Sequence, residues 1–438
     1  MNTRNRTRTL TFKVDALARV EGEGALYLRV RGQQVVEARV DIYEPPRFFE
    51  AFLRGRHFSE VPDITARICG ICPVAYQMSS AHALEAAFGL QMPPGIRTLR
   101  RLLYAGEWLE SHALHVYLLH APDFLGYEDA FALGQDHPDR VQQGLELKKI
   151  GNEVLQVLGG REVHPINVAV GGFYRLPGRR ELQTLRPRLQ RALDLAVETT
   201  RWVATFEFPD LEIPYLFVAL RHDEEYPMNE GWLQVSDGTR LPMAAFEEHF
   251  QEEHVPHSNA LHCRYHGQTY QVGPLARLNL NADHLTPIAR ELLEEMPWPL
   301  PWRNPFLSIV ARSLEMVVAA EEALRVLGTY EEPPAPRVEV HPRAGRGAWI
   351  TEAPRGILYH RYQVSDDGRI QEARIVPPTS QNLARMEEDL KALAPRVLHL
   401  PREQATWRFE QMIRNYDPCI SCATHFLRLE VEREEDHG

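Results

Sequence analysis

The sequence predicts an α+β protein, with a helix-rich core of long helices and β-rich peripheral layers. Three observations predict it. Leu10 to Val14, Ala25 to Val30 and Val35 to Ile42 alternate apolar and polar residues, as half-buried strands do. Leu99, Leu102, Leu103, Gly106, Leu109, Ala113 and Tyr117 recur at helical spacing, and Phe306 to Leu327 is a second strong helical stretch. Residues 205–270 mix short apolar runs with turns such as Asp237-Gly238, which reads as β-rich and peripheral. At 438 residues the chain can bury a large core and hold more than one packing unit. Four regions follow. Residues 1–60 are an N-terminal β-hairpin region with a short helix at Glu50, and 61–200 are a helical core with the first cysteine pair. Residues 201–300 are β-rich and peripheral. Residues 301–438 hold the second long helix, a hairpin at Glu352-Ala353-Pro354-Arg355-Gly356, and the second cysteine pair with a tail.

In chain order, Gly32-Gln33 turns the second and third strands into a hairpin. Taken alone, Ala18 to Gly24 is a glycine-bearing turn whose acids, Glu21 and Glu23, are solvated. Arg47 to Arg56 reads as a short amphipathic helix with Glu50 at the edge of its polar face. The helix from Leu99 to Leu119 carries His112 and His115 at i, i+3 on one face. Two such histidines can bind a metal, although core histidines satisfied by their neighbours are the commoner case. Gly159 to Gly172 forms glycine-bracketed loops around His164-Pro165, without the G-x-G-x-x-G pattern or the lysine of a phosphate loop. Cys263 stands alone and reads as a packed free thiol. Pro297 to Pro301 and Pro333 to Pro336 flank the second long helix, and Asp367-Gly368 turns a hairpin. Phe426 to Val431 reads as an exposed terminus or a last strand, followed by charged residues as far as Gly438. No internal repeats occur.

Composition excludes several classes. The net charge of −11, from 49 basic and 60 acidic residues, argues against nucleic acid as the main partner, since phosphate binding needs a basic face. No apolar run reaches the roughly 20 residues of a membrane span. Met1 to Arg8 is polar and basic, and no apolar signal core follows it, so no export signal is expected. The thiols are few and mostly in metal-type spacing, which fits a reducing cytoplasm better than a disulfide scaffold.

Four of the five cysteines lie in two pairs near opposite ends of the chain. They are Arg67-Ile68-Cys69-Gly70-Ile71-Cys72 and Asp417-Pro418-Cys419-Ile420-Ser421-Cys422-Ala423-Thr424-His425. Each C-x-x-C lets two thiolates face one metal from a single turn. A structural zinc site is one reading. Zinc ribbons bring their pairs from roughly 12–20 residues apart, so a separation of almost the whole chain fits that reading poorly. The other reading is a buried redox site where distant segments meet. Iron, nickel and zinc all suit four thiolates, and spacing does not choose among them.

R-I-C-G-I-C near the start with D-P-C-x-x-C-x-x-H near the end resembles the large, catalytic subunit of nickel–iron hydrogenases. Further segments extend the resemblance over most of the chain. Arg19-Val20-Glu21-Gly22 is similar to R-[IV]-E-G-H, and Arg47 to Arg56 to R-G-x-E-x-x-x-x-x-R. The helix segment His112 to Asp123 resembles H-x-x-H-x-Y…D. Gly159 to Gly172, Gly273-Pro274-Leu275-Ala276-Arg277, Glu352-Ala353-Pro354-Arg355-Gly356 and Pro378-Thr379 match other family segments. The resemblance implies the hydrogenase large-subunit fold and a nickel–iron centre. Cys69 and Cys419 are then terminal nickel ligands, and Cys72 and Cys422 bridge nickel to an iron carrying carbon monoxide and cyanide. It makes Glu21 the first proton relay, and Glu50 and His425 ligands of Mg2+. The same resemblance implies that the Arg355 guanidinium hangs over the open metal position and touches one cyanide, and that the Thr379 hydroxyl touches the other.

Three positions depart from the family pattern. Glu23 stands where the family often has histidine, and Ser111 where it often has aspartate. Tyr76 replaces a histidine that hydrogen-bonds a bridging thiolate; a phenol can still donate one hydrogen bond but carries no positive charge. The implied activity is reversible oxidation of dihydrogen. The Cys419 thiolate is the better proton acceptor, because the Arg355 guanidinium has a pKa above about 12. Too few cysteines remain for iron–sulfur clusters, so electrons leave through an iron–sulfur small subunit. The missing export signal, Tyr76 and Ser111 are most like the cytoplasmic NAD(P)-linked group, whose diaphorase subunits bind flavin and nucleotide. The family's maturation protease cuts after the motif's last histidine, which makes this sequence a precursor ending at His425 when mature. The alternatives are a zinc scaffold and a relative of the quinone-pocket subunit of respiratory complex I. The four retained thiols count against the second.

Overall fold

The computed structural model describes residues 9–32 and 34–425; the tail from Phe426, with its expected strand, lies outside the described residues. Four long helices form a closed ring: Pro94–Ala113, Pro138–Gly159, Arg179–Val203 and Ser308–Thr329. Each packs against the next, and the last against the first. Sequence explains their orientation. Leu182, Leu185, Leu189, Ala192, Leu193, Ala196 and Val203 fall at three- and four-residue spacing and make one buried stripe. That helix starts where the Glu181 carboxylate accepts the Gly178 N–H at 2.8 Å. Ser308–Thr329 is apolar around most of its circumference and is buried along most of its length.

The first ring helix does not end as its periodicity suggests. Beyond Ala113 it widens into a π-helix over Leu114–His120, then resumes over Ala121–Leu125. The widened turn precedes Pro122, whose ring clashes with the carbonyl four residues back in a regular α-helix. The helix expected over Arg47 to Arg56 is shorter, Phe49–Leu53. Gly55 donates its N–H to Ile370 O at 2.8 Å and Arg56 O accepts from Ile370 N at 2.9 Å, so strand pairing takes that backbone out of the helix.

Beside the ring, helix Pro73–Phe88 lies on a three-stranded antiparallel sheet of Gly345–Ala353, Gly356–Val364 and Ile370–Val376. The Asp367-Gly368 turn closes its second hairpin, with Gly368 at φ 78°. The N-terminal strands Thr9–Val14, Gly24–Arg31 and Gln34–Ile42 pair antiparallel in sequence order. Leu26, Leu28, Val30, Ala38, Val40 and Ile42 form their buried face, in one core with the helices Pro378–Val397 and Arg402–Arg414. The peripheral β layer holds five short strands between Val218 and Tyr265, and Cys263 is a buried free thiol in its core. The α+β architecture is therefore the predicted one. No described helix is long and apolar enough to cross a membrane.

One contact between helix and sheet admits only glycine. A Cβ on Gly347 would sit 2.0 Å from Ala83 O and 2.4 Å from Ala87 N, both backbone atoms of helix Pro73–Phe88. Gly347→Ala must push that helix off the sheet, costing about 1–3 kcal/mol or more of stability. Because the helix begins directly after Cys72, bound nickel should fall as well. Thermal unfolding and elemental analysis check both; an unshifted midpoint would contradict the close packing.

Candidate metal centre

The first cysteine pair sits between helix Val61–Ala66 and the start of helix Pro73–Phe88. Glu107, fully buried on the first ring helix, caps that start: its carboxylate accepts from Val74 N at 2.6 Å and Ala75 N at 3.1 Å. Cys69 Sγ accepts from Cys72 N at 3.1 Å and Ile71 N at 3.3 Å. His164 Nδ1 lies 2.8 Å from Ala66 O, so the His164-Pro165 loop braces the approach. The second pair follows helix Arg402–Arg414. Cys419 N donates to Thr379 Oγ1 at 3.0 Å, and Ile420 N to Glu21 O at 2.9 Å. Arg47 ties the two pairs together. Its guanidinium donates to Ile68 O at 2.6 Å and to Ser421 O, and its backbone N–H to Thr424 O at 2.7 Å.

The four sulfurs converge. Cys69 Sγ is 2.9 Å from Cys72 Sγ and 3.6 Å from Cys419 Sγ, and Cys72 Sγ is 3.8 Å from Cys422 Sγ. All four lie within 4.8 Å of one another, are buried, and form no disulfide. Burial pushes the Cys419 and Cys422 thiols up. At Cys69 burial acts the same way, but hydrogen bonds from the other three thiols and the Arg355 charge outweigh it and hold Cys69 well below the usual range. The protein alone therefore favours one thiolate in the group. A soft cation compensates the rest, and four thiolate donors fit it.

Around the sulfurs the predicted residues fall in three groups. Glu21 Oε2 lies 3.1 Å from Cys419 Sγ and accepts from Ser421 N at 3.1 Å. Arg355 donates through Nε to Asp417 O at 2.7 Å and through Nη2 to Asp417 Oδ1 at 3.1 Å, leaving the buried Nη1 without a partner. Glu50 Oε1 accepts from Ile375 N at 2.8 Å and lies 3.9 Å from His425 Nε2, which is 2.7 Å from Ile375 O. The structure does not bring His112 and His115 together as ligands. His112 Nε2 lies 3.0 Å from Glu315 Oε2, and His115 Nε2 lies 2.8 Å from Arg414 O. Burial lowers His112 to about 4, so it is a neutral core histidine. The Tyr76 hydroxyl is buried and has no partner among the described residues. Ser111 Oγ is the same.

Sequence reading missed a further set. Arg277, the arginine of G-P-L-A-R, donates to Glu315, Glu352 Oε2, Ala353 O and Pro354 O, each at 2.7–2.8 Å, with the Trp108 ring 4.6 Å away. It thereby fixes the turn that carries Arg355. Gly273 allows the approach: its φ is 112°, and a Cβ there would lie 2.8 Å from Arg355 O. The only signal in the sequence was the segment itself, which names no partner.

The family model described as nickel-dependent hydrogenase matches residues 47–143 and 228–425, which take in both cysteine pairs. The chain belongs to the nickel-dependent hydrogenases. It is 36% identical to sulfhydrogenase 1 subunit alpha of Pyrococcus furiosus, covering 96% of this chain and 99% of that one. It is 28% identical to NAD-reducing hydrogenase HoxS subunit beta of Cupriavidus necator, over 94% of each chain. Among solved structures, an NAD+-reducing [NiFe]-hydrogenase in the H2-reduced state superposes with a TM-score of 0.85 at 28% identity, covering 96% of this chain and all of that one. The chain is thus a hydrogenase catalytic subunit whose four converging thiols form a metal-binding cluster, which supports a nickel–iron centre, and a zinc scaffold is not favoured.

Glu107 generates a prediction here, because it links the ring to this hydrogenase site. Glu107→Ala leaves Val74 N and Ala75 N buried and unpaired, costing about 1–3 kcal/mol. The turn holding Cys72 then loosens, and nickel per chain should drop. Thermal unfolding with elemental analysis checks it; parent stability and nickel content would show that the cap is dispensable.

Proposed function

We propose that the chain catalyses reversible oxidation of dihydrogen and passes the electrons to an iron–sulfur small subunit and on to NAD(P). The contact between Cys419 Sγ and Glu21 Oε2, 3.1 Å, carries the reading, because it sets a carboxylate beside a metal-binding thiol. When bound, the nickel–iron centre supplies the splitting of dihydrogen. Cys69, Cys419, Cys72 and Cys422 would hold that centre through their thiolates. Cys419 Sγ takes the proton and hands it to Glu21 Oε2, where the Ser421 N–H steadies the carboxylate. Asp417 occupies two of the donors of Arg355 and leaves Nη1 for an anionic ligand. Thr379 Oγ1 already accepts from Cys419 N, so its own proton is free for the cyanide contact.

Glu50 and the Ile375 carbonyl would offer oxygen ligands to Mg2+, in keeping with that ion's preference for oxygen and water, and His425 Nε2 would add one nitrogen. Four of the chain's five cysteines are committed to the centre and Cys263 alone cannot hold a cluster, which supports a separate cluster-bearing subunit. The NAD-reducing relatives support delivery of the electrons to NAD(P), and flavin-bearing diaphorase partners in the cytoplasm are part of the same proposal. A maturation protease acting after His425 completes the reading.

Two variants test it. Cys422→Ser should abolish bound nickel and hydrogen uptake, because a hydroxyl is a poor bridging ligand for soft metals; normal values of both would remove Cys422 from the site. Glu21→Gln should slow hydrogen–deuterium exchange by about 100-fold or more while nickel and iron stay at parent levels, since it removes only the titrating group. Exchange at the parent rate would exclude Glu21 as relay.

A further inference from the structure

Away from the thiols, three side chains from three segments meet. Glu387 lies on helix Pro378–Val397, His262 opens strand His262–Tyr265, and His257 lies in the loop leading to that strand. One ligand-capable atom from each falls within 4.8 Å of the others. The carboxylate is oriented, since Glu387 Oε1 accepts from Val40 N at 3.0 Å and lies 2.8 Å from His257 Nε2. His262 is 1% exposed, and its Nε2 is buried without a hydrogen-bond partner. Burial lowers its pKa to about 3, so at neutral pH the ring is uncharged and carries a lone pair.

A His257–Glu387 ion pair explains two of these residues. It does not explain an imidazole nitrogen sealed from water with nothing in return. We propose that His257, His262 and Glu387 form a second metal site that takes one zinc-class divalent cation, with water completing its coordination. Two imidazoles and a carboxylate suit a first-row dication such as zinc far better than magnesium. The side chains of His257 and Glu387 are 19% and 13% exposed, which gives an ion and its water a way in. The ligands come from a loop, a strand and a helix, so the ion clamps these elements together. The same helix holds Thr379, two turns before Glu387, against Cys419 N. The site therefore acts as a brace behind the second cysteine pair, and it stands whatever the outcome for the hydrogenase reading.

The test uses the purified, nickel-loaded enzyme complex, stripped with EDTA, incubated with zinc chloride and desalted. Elemental analysis should find one added zinc per chain, and thermal unfolding should shift upward with zinc. His262→Gln and His257→Ala should each lose that zinc and the shift, with nickel and iron at parent levels. His257 is partly exposed, so its variant decides the matter if His262→Gln does not fold. Parent enzyme that takes up no zinc, or variants that keep it, would overturn the proposal and leave a hydrogen-bonded ion pair only.

Discussion

The structure depends on holding two thiol pairs, 350 residues apart in sequence, within van der Waals reach in a buried pocket. Neither pair is self-supporting. Arg47 crosses between them, taking carbonyls from both with one guanidinium, whose fixed fork suits this better than a flexible ammonium. The first pair is set by a helix cap from the ring, at Glu107. The second is set by the Glu21 backbone and the first turn of helix Pro378–Val397. The ring, the N-terminal sheet and the C-terminal helices thus each hold one side of the metal site.

A second constraint is the buried charge behind Arg355. Arg277, Glu315 and Glu352 are all fully buried. Burial raises both carboxylates, and Arg277 reverses this at Glu315, holding it at about 2, while Glu352 stays near 7. Removing the arginine from such a set costs about 3–5 kcal/mol, because two carboxylates lose their counter-ion. The arrangement spends stability to place Arg355 within reach of Asp417 beside the sulfurs. Its position is fixed by charge and backbone carbonyls, not by apolar packing.

Much of this was legible in the sequence. The three N-terminal strands, the two longest-reading helices and the Asp367-Gly368 hairpin follow from local periodicity and turn chemistry. The cysteine pairs stood out because thiols in short spacings are local signals, whereas Glu21 and Arg355 were singled out only by the family resemblance. The π-helix at Leu114–His120 did not, since it arises from Pro122 downstream and from contacts such as His115 with Arg414 O. Arg277, Glu107 and Arg47 were equally hidden as a scaffold. Their partners lie 21 or more residues away, and nothing in a single sequence pairs them. The helix at Arg47 to Arg56 was overextended because strand Ile370–Val376, which claims Gly55 and Arg56, is far along the chain.

The central claim is that four cysteines from the two ends of one chain hold a nickel–iron centre. Elemental analysis of the native complex, with the large subunit then separated from its partners, tests it most directly. The account predicts nickel and iron together in the separated chain. Zinc in the thiol site, with no nickel, would contradict it.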